Sequence, residues 1–198
     1  MATINWPPAI TTGPVDYACE FDIEMTVYRS GRVTTFGLPG ERWTCSLRID
    51  ADLERRMRPA VEALLMSLRG GANRLSMHHF GRPRPNGTLQ GSPTVAAPIA
   101  AGAQTVQMTN CNGSLKAGDI IGLPGQFVMV LSDVSPTLTN MTVSVSPPIR
   151  ASHSPGTAVT WNKPTTLWIP RSNIAGPFPY GQNKTRPAFS VDFVEAWA

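Results

Sequence analysis

Three histidines, three cysteines and thirteen acidic residues are the groups in this 198-residue chain best suited to chemistry. His78 and His79 are adjacent, so on a strand they point to opposite faces and cannot share one metal ion unaided. His153 is far from both in sequence. Cys19, Cys45 and Cys111 are scattered, odd in number and without metal-ligand spacing. They read as reduced thiols of a protein made in a cytoplasm, although Cys19 and Cys45 could face each other on paired strands. Asp22 with Glu24, or Glu20 with Asp22, share the polar face of a strand. Paired carboxylates can exchange protons with a substrate, but a solvated strand face explains them more simply. Asp192 and Glu195, flanking apolar residues near the C-terminus, read the same way. No GxSxG elbow, phosphate-binding Walker loop or GxGxxG turn occurs. No catalytic, metal-binding or cofactor-binding residue is therefore expected, and the chain is expected not to be an enzyme.

The basic residues are more telling. There are fourteen Arg against three Lys, and Arg is the cation suited to planar, bidentate contacts with proteins and phosphates. Arg69, Arg74, Arg82 and Arg84 form one cluster. A phosphate contact is one reading, but the exposed aromatics or reading helix of a nucleic-acid binder are missing. The other reading is a subunit interface, with the acids of a neighbouring copy as partners. Arg29 and Arg32, at a hairpin tip, are a second candidate interface. Residues 1–62 hold nine of the thirteen acids, whereas residues 92–170 hold five charges in all. So uncharged a segment is poorly solvated if fully exposed, which suggests that neighbouring subunits cover part of it. Trp43, Trp161, Trp168 and Trp197 fall on predicted strands as core or interface anchors, or as a platform for sugar.

Hydrophobic periodicity gives the elements that place these residues. Glu20–Tyr28 alternates, with Phe21, Ile23, Met25 and Val27 on one face of a half-buried strand. Arg29–Arg32 is a turn, and Val33–Phe36 returns as the second strand of a hairpin. Leu38–Glu41 reads as a type II turn, and Arg42–Ile49 as a strand with Trp43, Cys45, Leu47 and Ile49 on one face. Leu53, Met57, Val61, Leu64, Leu65 and Leu68 have helical spacing. Asp50 or Asp52 is the candidate cap, and Gly70-Gly71 a left-handed stop. Pro59 either kinks this helix or stands in its first turn. Asn73–Phe80 returns to strand, and residues 81–93 are a linker. Short strands follow at Thr105–Thr109, Asp119–Leu123, Gln126–Leu131, Met141–Ser146 and Thr157–Trp161, with a type II turn at Leu123–Gln126. Leu167–Pro170 is either the last of these or the way out. Ala188–Trp197 is a final alternating strand. A mainly β protein follows. A β-sandwich-like domain with one helix, residues 1–91 plus 171–198, is completed by the C-terminal strand. It carries an inserted barrel-like module of five or six strands at residues 92–170.

The order of several soft motifs resembles the distal tail proteins of siphophages. Gly40-Glu41-Arg42-Trp43 leads into a strand, and the helix ends Leu65-x-x-Leu68-Arg69-Gly70-Gly71-x-Asn73. Ala117–Ile121 with Val128-x-Val130 looks like the start of the family's inserted module. Ser144–Arg150 looks like a PPLR-like motif near its end, with Ile149 where Leu is usual. Phe189–Trp197 looks like the closing strand. The resemblance implies a structural ring, usually hexameric, joining the tail tube to the hub and fibres of the tail tip. It implies as partners copies of the chain itself, the tail tube protein, and the hub and other tail-tip proteins. Tape measure and DNA would pass through the channel without specific binding. It implies a protein of the virion, assembled in the host bacterial cytoplasm, with no cofactor.

No run of eighteen apolar residues exists, so no membrane partner is expected. The N-terminus lacks a basic start and an apolar run, so a signal peptide is not expected. The four Asn-x-Ser/Thr sites (Asn86, Asn112, Asn140, Asn183) are accordingly read as accidental. The alternative function is a carbohydrate- or receptor-binding module of the phage tail, with Trp161 or Trp168 in a groove. A cell-wall hydrolase lacks a convincing catalytic set.

Overall fold

The computed structural model describes residues 1–8, 10, 13–37, 40–50, 57–173, 175–176, 178–179 and 187–196. In chain order the first elements are β1 (Thr3–Asn5), β2 (Val15–Glu20), β3 (Ile23–Val27), β4 (Val33–Gly37), β5 (Arg42–Ile49) and α1 (Met57–Ser67). A 3-10 turn at Arg69–Gly71 leads to β6 (Arg74–His78), β7 (Thr94–Val95), β8 (Thr105–Thr109), β9 (Ile120–Leu123) and β10 (Gln126–Val130). β11 (Met141–Ser146), β12 (Thr165–Pro170) and β13 (Phe189–Glu195) complete the order.

Six strands form one sheet in the order β1-β6-β12-β13-β5-β2, parallel only between β1 and β6. Alternation along β5 buries Trp43, Cys45, Leu47 and Ile49 on one face. Register carries the same face across the sheet, because Phe193 lies opposite Cys45 and Leu75 opposite Trp168. Helix α1 covers part of this face with Val61, Leu64 and Leu65, and Leu68 just past its end joins them. The described part of the helix runs from Met57 and contains Pro59. Asp50 pairs with Arg48 and lies outside α1; Leu53 and Asp52 fall outside the described residues, as do Leu38 and Pro39 of the first expected turn. The stop is at the expected glycines, with Gly70 at φ 63° and Gly71 at φ 97°. A Cβ on Gly70 would also meet the Asn173 carbonyl oxygen at 2.5 Å. Arg58 is fully buried and ties the helix to the returning chain, donating to the carbonyls of Pro179 and Pro187 beneath the Phe189 ring.

The second sheet runs β7-β8-β11-β10-β9, antiparallel throughout. Its two edges meet a common segment, for Ala158 bridges to Thr94 beside β7's edge and Thr160 bridges to Gly122 of β9. Residues 158–160 thus touch both edges of the sheet, which curls into a half-barrel. The barrel has its own core, built on Val106, Met108, Val128, Val130, Val143 and Val145. Leu123 and Gln126 close the tight turn between β9 and β10, where Gly125 takes φ 81° as a type II turn requires.

Two boundaries differ from the sequence reading. Thr165–Pro170 pairs with β6 and β13, so the return to the larger sheet is made at residue 165 and not at 171. The linker stops being a linker at Asn86, whose backbone N–H, with that of Gly87, is held by the Asp119 carboxylate. Leu89 is then buried in the barrel core. Barrel and sheet share packing as well as chain. Phe127 and Ile120 leave the barrel and enter the core over the larger sheet, with Phe127 5.6 Å from Trp43 and 5.9 Å from Trp168 between ring centroids.

The hairpin β3–β4 stands apart. It extends the β2–β5 pair beyond the sheet, and its strands pair only with each other. Its loop has three residues, Arg29, Ser30 and Gly31, closed by the Tyr28–Arg32 pair, with Gly31 at φ 79°. Among the described residues no helix is long and apolar enough to cross a membrane.

Phe127→Ala should lower stability by about 3–5 kcal/mol, because it empties the contact that both cores share. Thermal and urea unfolding followed by tryptophan fluorescence measure this; a loss below about 1 kcal/mol would mean that the barrel does not lean on the sheet.

Candidate functional site

One buried polar group with several partners is one that sequence reasoning placed in solvent. Glu195 is 1% exposed. It follows Phe189, Val191 and Phe193 on the core face of β13, so strand parity, weighed above residue type, was the available signal. Its Oε2 accepts from the Trp43 backbone N–H at 3.1 Å and from Arg150 at 2.7 Å. Its Oε1 accepts from the Thr166 hydroxyl at 2.8 Å. Arg150 also donates to the Glu41 carbonyl, and its own backbone N–H is held by Gln126. The cluster thus joins β5, β12 and β13 to the barrel. Burial pushes the Glu195 carboxyl above the usual range, and Arg150 opposes that shift. A cleft of about 620 Å³ opens beside the junction, with Glu41, Pro124, Gln126, Pro148, Arg150 and His153 among its walls. Among the described residues no nucleophile stands there beside a base, and the bonds made by Glu195 and Arg150 hold the two modules together.

The other titratable groups are similarly structural. His79 is buried and stacks on Tyr17 at 3.8 Å, while His78 on the opposite face is half-buried, as their adjacency required. Burial, and secondarily Arg82, lowers His79 to about 4. Burial raises the Cys45 thiol to about 12 and the Cys19 thiol to about 11. All three cysteines are free, and thiols shifted this way are poor nucleophiles at neutral pH. Cys19 and Cys45 share a face of the β2–β5 pair but sit diagonally, opposite Trp43 and Tyr17 respectively. Among the described residues no cluster of His, Cys, Asp and Glu could hold a metal ion.

The six candidate arginines do not form one patch. Arg29 and Arg32 are exposed at the tip of the β3–β4 hairpin. Arg69 is exposed at the end of α1, and Arg74 is half-buried on β6. Arg82 donates to the Gly118 carbonyl and so fastens the entry to the barrel, and Arg84 is exposed nearby. Of the tryptophans, Trp168 is fully buried, and Trp161 packs on the barrel core and donates to the Gly91 carbonyl. Trp168 is thus no platform for a sugar. Trp197 is outside the described residues.

The largest exposed apolar surface is on the hairpin. Pairing puts Ile23, Met25, Val27 and Val33 on one face, and Glu24, Thr26, Thr34 and Phe36 on the other. Every residue of both strands is exposed; Met25 keeps 64% of its surface and Val27 66%. The sequence reading found this alternation and expected a half-buried strand. Among the described residues the half-burial is absent, because the hairpin pairs only with itself and lies beyond the sheet that would have covered it. Patterning of this kind without a covering surface marks an interaction site.

No protein-family model matches this chain, and no curated protein matches it.

Arg150→Met should destabilise the protein by about 3–5 kcal/mol, because it leaves the Glu195 carboxylate buried without its counter-ion. Arg150→Met with Glu195→Met should recover most of that loss, and a double-mutant cycle in urea with no coupling would refute the pairing. His79 should make stability fall as pH drops from about 6.5 to about 4, since the unfolded chain takes up a proton that the buried imidazole refuses. His79→Phe should flatten that part of the stability–pH curve; an unchanged slope would assign it to other groups.

Proposed function

We propose that the chain is a non-enzymatic structural subunit of a bacteriophage tail tip, of the distal tail type, forming a hexameric ring that joins the tail tube to the hub and fibres. The observation that carries this reading is the β3–β4 hairpin. Its alternation is that of a strand pair covered on one side, and both its faces are exposed among the described residues. A closed ring gives each subunit two different surfaces, one for each neighbour, and a projecting arm with an apolar face suits one of them. The sheet-with-inserted-barrel architecture is the one the resemblance implies, and it supports the reading further. Burial of Trp168 tells against a sugar-binding platform.

In this reading the partners are copies of the chain, the tail tube protein, and the hub and other tail-tip proteins. Tape measure and DNA pass through the ring without specific binding. The protein resides in the virion and is assembled in the host cytoplasm. Arg29, Arg32, Arg69, Arg74 and Arg84 remain candidates for subunit contacts. Arg82 is a weaker one, because its guanidinium is engaged with Gly118 within the chain.

Electron microscopy and mass photometry of the purified chain should show closed rings with a central hole. Met25→Glu with Val27→Glu changes only exposed side chains, so it should keep the wild-type melting temperature and abolish rings. Rings that survive this change would remove the hairpin from the interface. A monomeric chain that is also absent from phage particles would defeat the tail-tip reading.

A further inference from the structure

The larger sheet buries one face and leaves the other open. On the open face, Asp16 of β2 and Asp192 of β13 both lie opposite Ser46 of β5, one on each side. Neighbouring strands are about 4.8 Å apart, so the two carboxylates flank Ser46 at a separation of about 10 Å. Both are exposed, and neither makes an ion pair among the described residues. Between them is a shallow groove of about 240 Å³ with Ala18, Thr44 and Ser46 in its floor and Arg171 at its side. Arg171 is already paired with Glu20 at 2.8 Å, which leaves the two aspartates as the uncompensated charge of the groove. The floor residues are small, and exposed Ala18 adds an apolar spot.

The hairpin tip has the opposite character. Arg29 opens the three-residue loop and Arg32 follows it; both are exposed and likewise make no ion pair among the described residues. The Cα atoms of a β-turn's first and last residues lie within about 7 Å, and long guanidinium side chains extend that span easily to about 10 Å. Behind the tip runs the apolar face of Ile23, Met25, Val27 and Val33. A doubly positive tip and a doubly negative groove are thus carried by one chain, on different surfaces.

We infer that the hairpin tip of one copy docks on the open sheet face of the next, with Arg29 and Arg32 against Asp16 and Asp192. The inference rests on the ring reading above and names its contact. The interface is head-to-tail, since the two surfaces differ, and repeated rotation closes it. Exposed charges at a rim steer association and respond to salt, so assembly should weaken as ionic strength rises.

Complementary charge reversal tests it. One variant carries Arg29→Asp and Arg32→Asp, the other Asp16→Arg and Asp192→Arg. All four residues are exposed, and circular dichroism should show unchanged folding. Each variant alone brings like charges together, so mass photometry should show the concentration for assembly raised about tenfold or more. In an equimolar mixture every junction is again complementary, so rings of alternating subunits should form near the wild-type concentration. Variants that assemble like the wild type, or a mixture that fails although both variants are folded, would overturn this contact and leave the ring reading standing. A wild-type chain that never assembles would overturn this contact, and its absence from phage particles as well would overturn both.

Discussion

The constraint on which the rest of the structure depends is a carboxylate placed where none is comfortable. Glu195 sits on the core side of the last strand, beneath the barrel, and a lone ionised group there would be strongly destabilising. It is tolerated because three partners converge on it: Trp43 and Thr166 from the sheet, and Arg150, itself positioned by Gln126, from the barrel. None of these can move without leaving a buried polar group unsatisfied. The junction therefore has one low-energy arrangement, whereas a purely apolar contact would tolerate small slides. The aromatic packing of Phe127 against Trp43 and Trp168 adds cohesion, and the polar cluster adds register.

How much of this was legible in the sequence depended on whether an element's environment repeats its pattern. β5 and β11 lie within one residue of the expected bounds, because alternation there coincides with burial on one face. The insertion was legible because a strong strand remained at the C-terminus with nothing left to pair with except the first half of the chain. The allocation of Thr165–Pro170 was not, since its threonines and proline resemble the barrel strands and only pairing distinguishes them. β1 and β7 are of three and two residues, too short for periodicity to register. Glu195 was misplaced because residue type was allowed to outweigh strand parity. Arg58 was missed because its burial depends on carbonyls supplied by Pro179 and Pro187, far along the chain.

The candidate surface was half legible. Sequence located the hairpin, its tip and its apolar stripe, yet it could not say that the stripe would be left uncovered. Coverage is a property of neighbours, and the neighbours of a projecting arm are not encoded locally. The same limit applies to the arginines. Their number suggested interfaces, but only the fold separates Arg82, engaged within the chain, from Arg29 and Arg32, which face solvent.

The pairing of β6 with β12 has a consequence of another kind. His78 lies opposite Thr165, and the N–H of Lys163 meets the carbonyl of Pro83, so the chain leaves and re-enters the sheet at one point. Topologically the whole barrel is the loop of a hairpin. The entropy of closing a loop grows only with the logarithm of its length, so such a hairpin accommodates a short turn or a folded module at similar cost. The sheet can then be kept constant while the excursion is exchanged, and what the molecule presents at that position becomes a replaceable part.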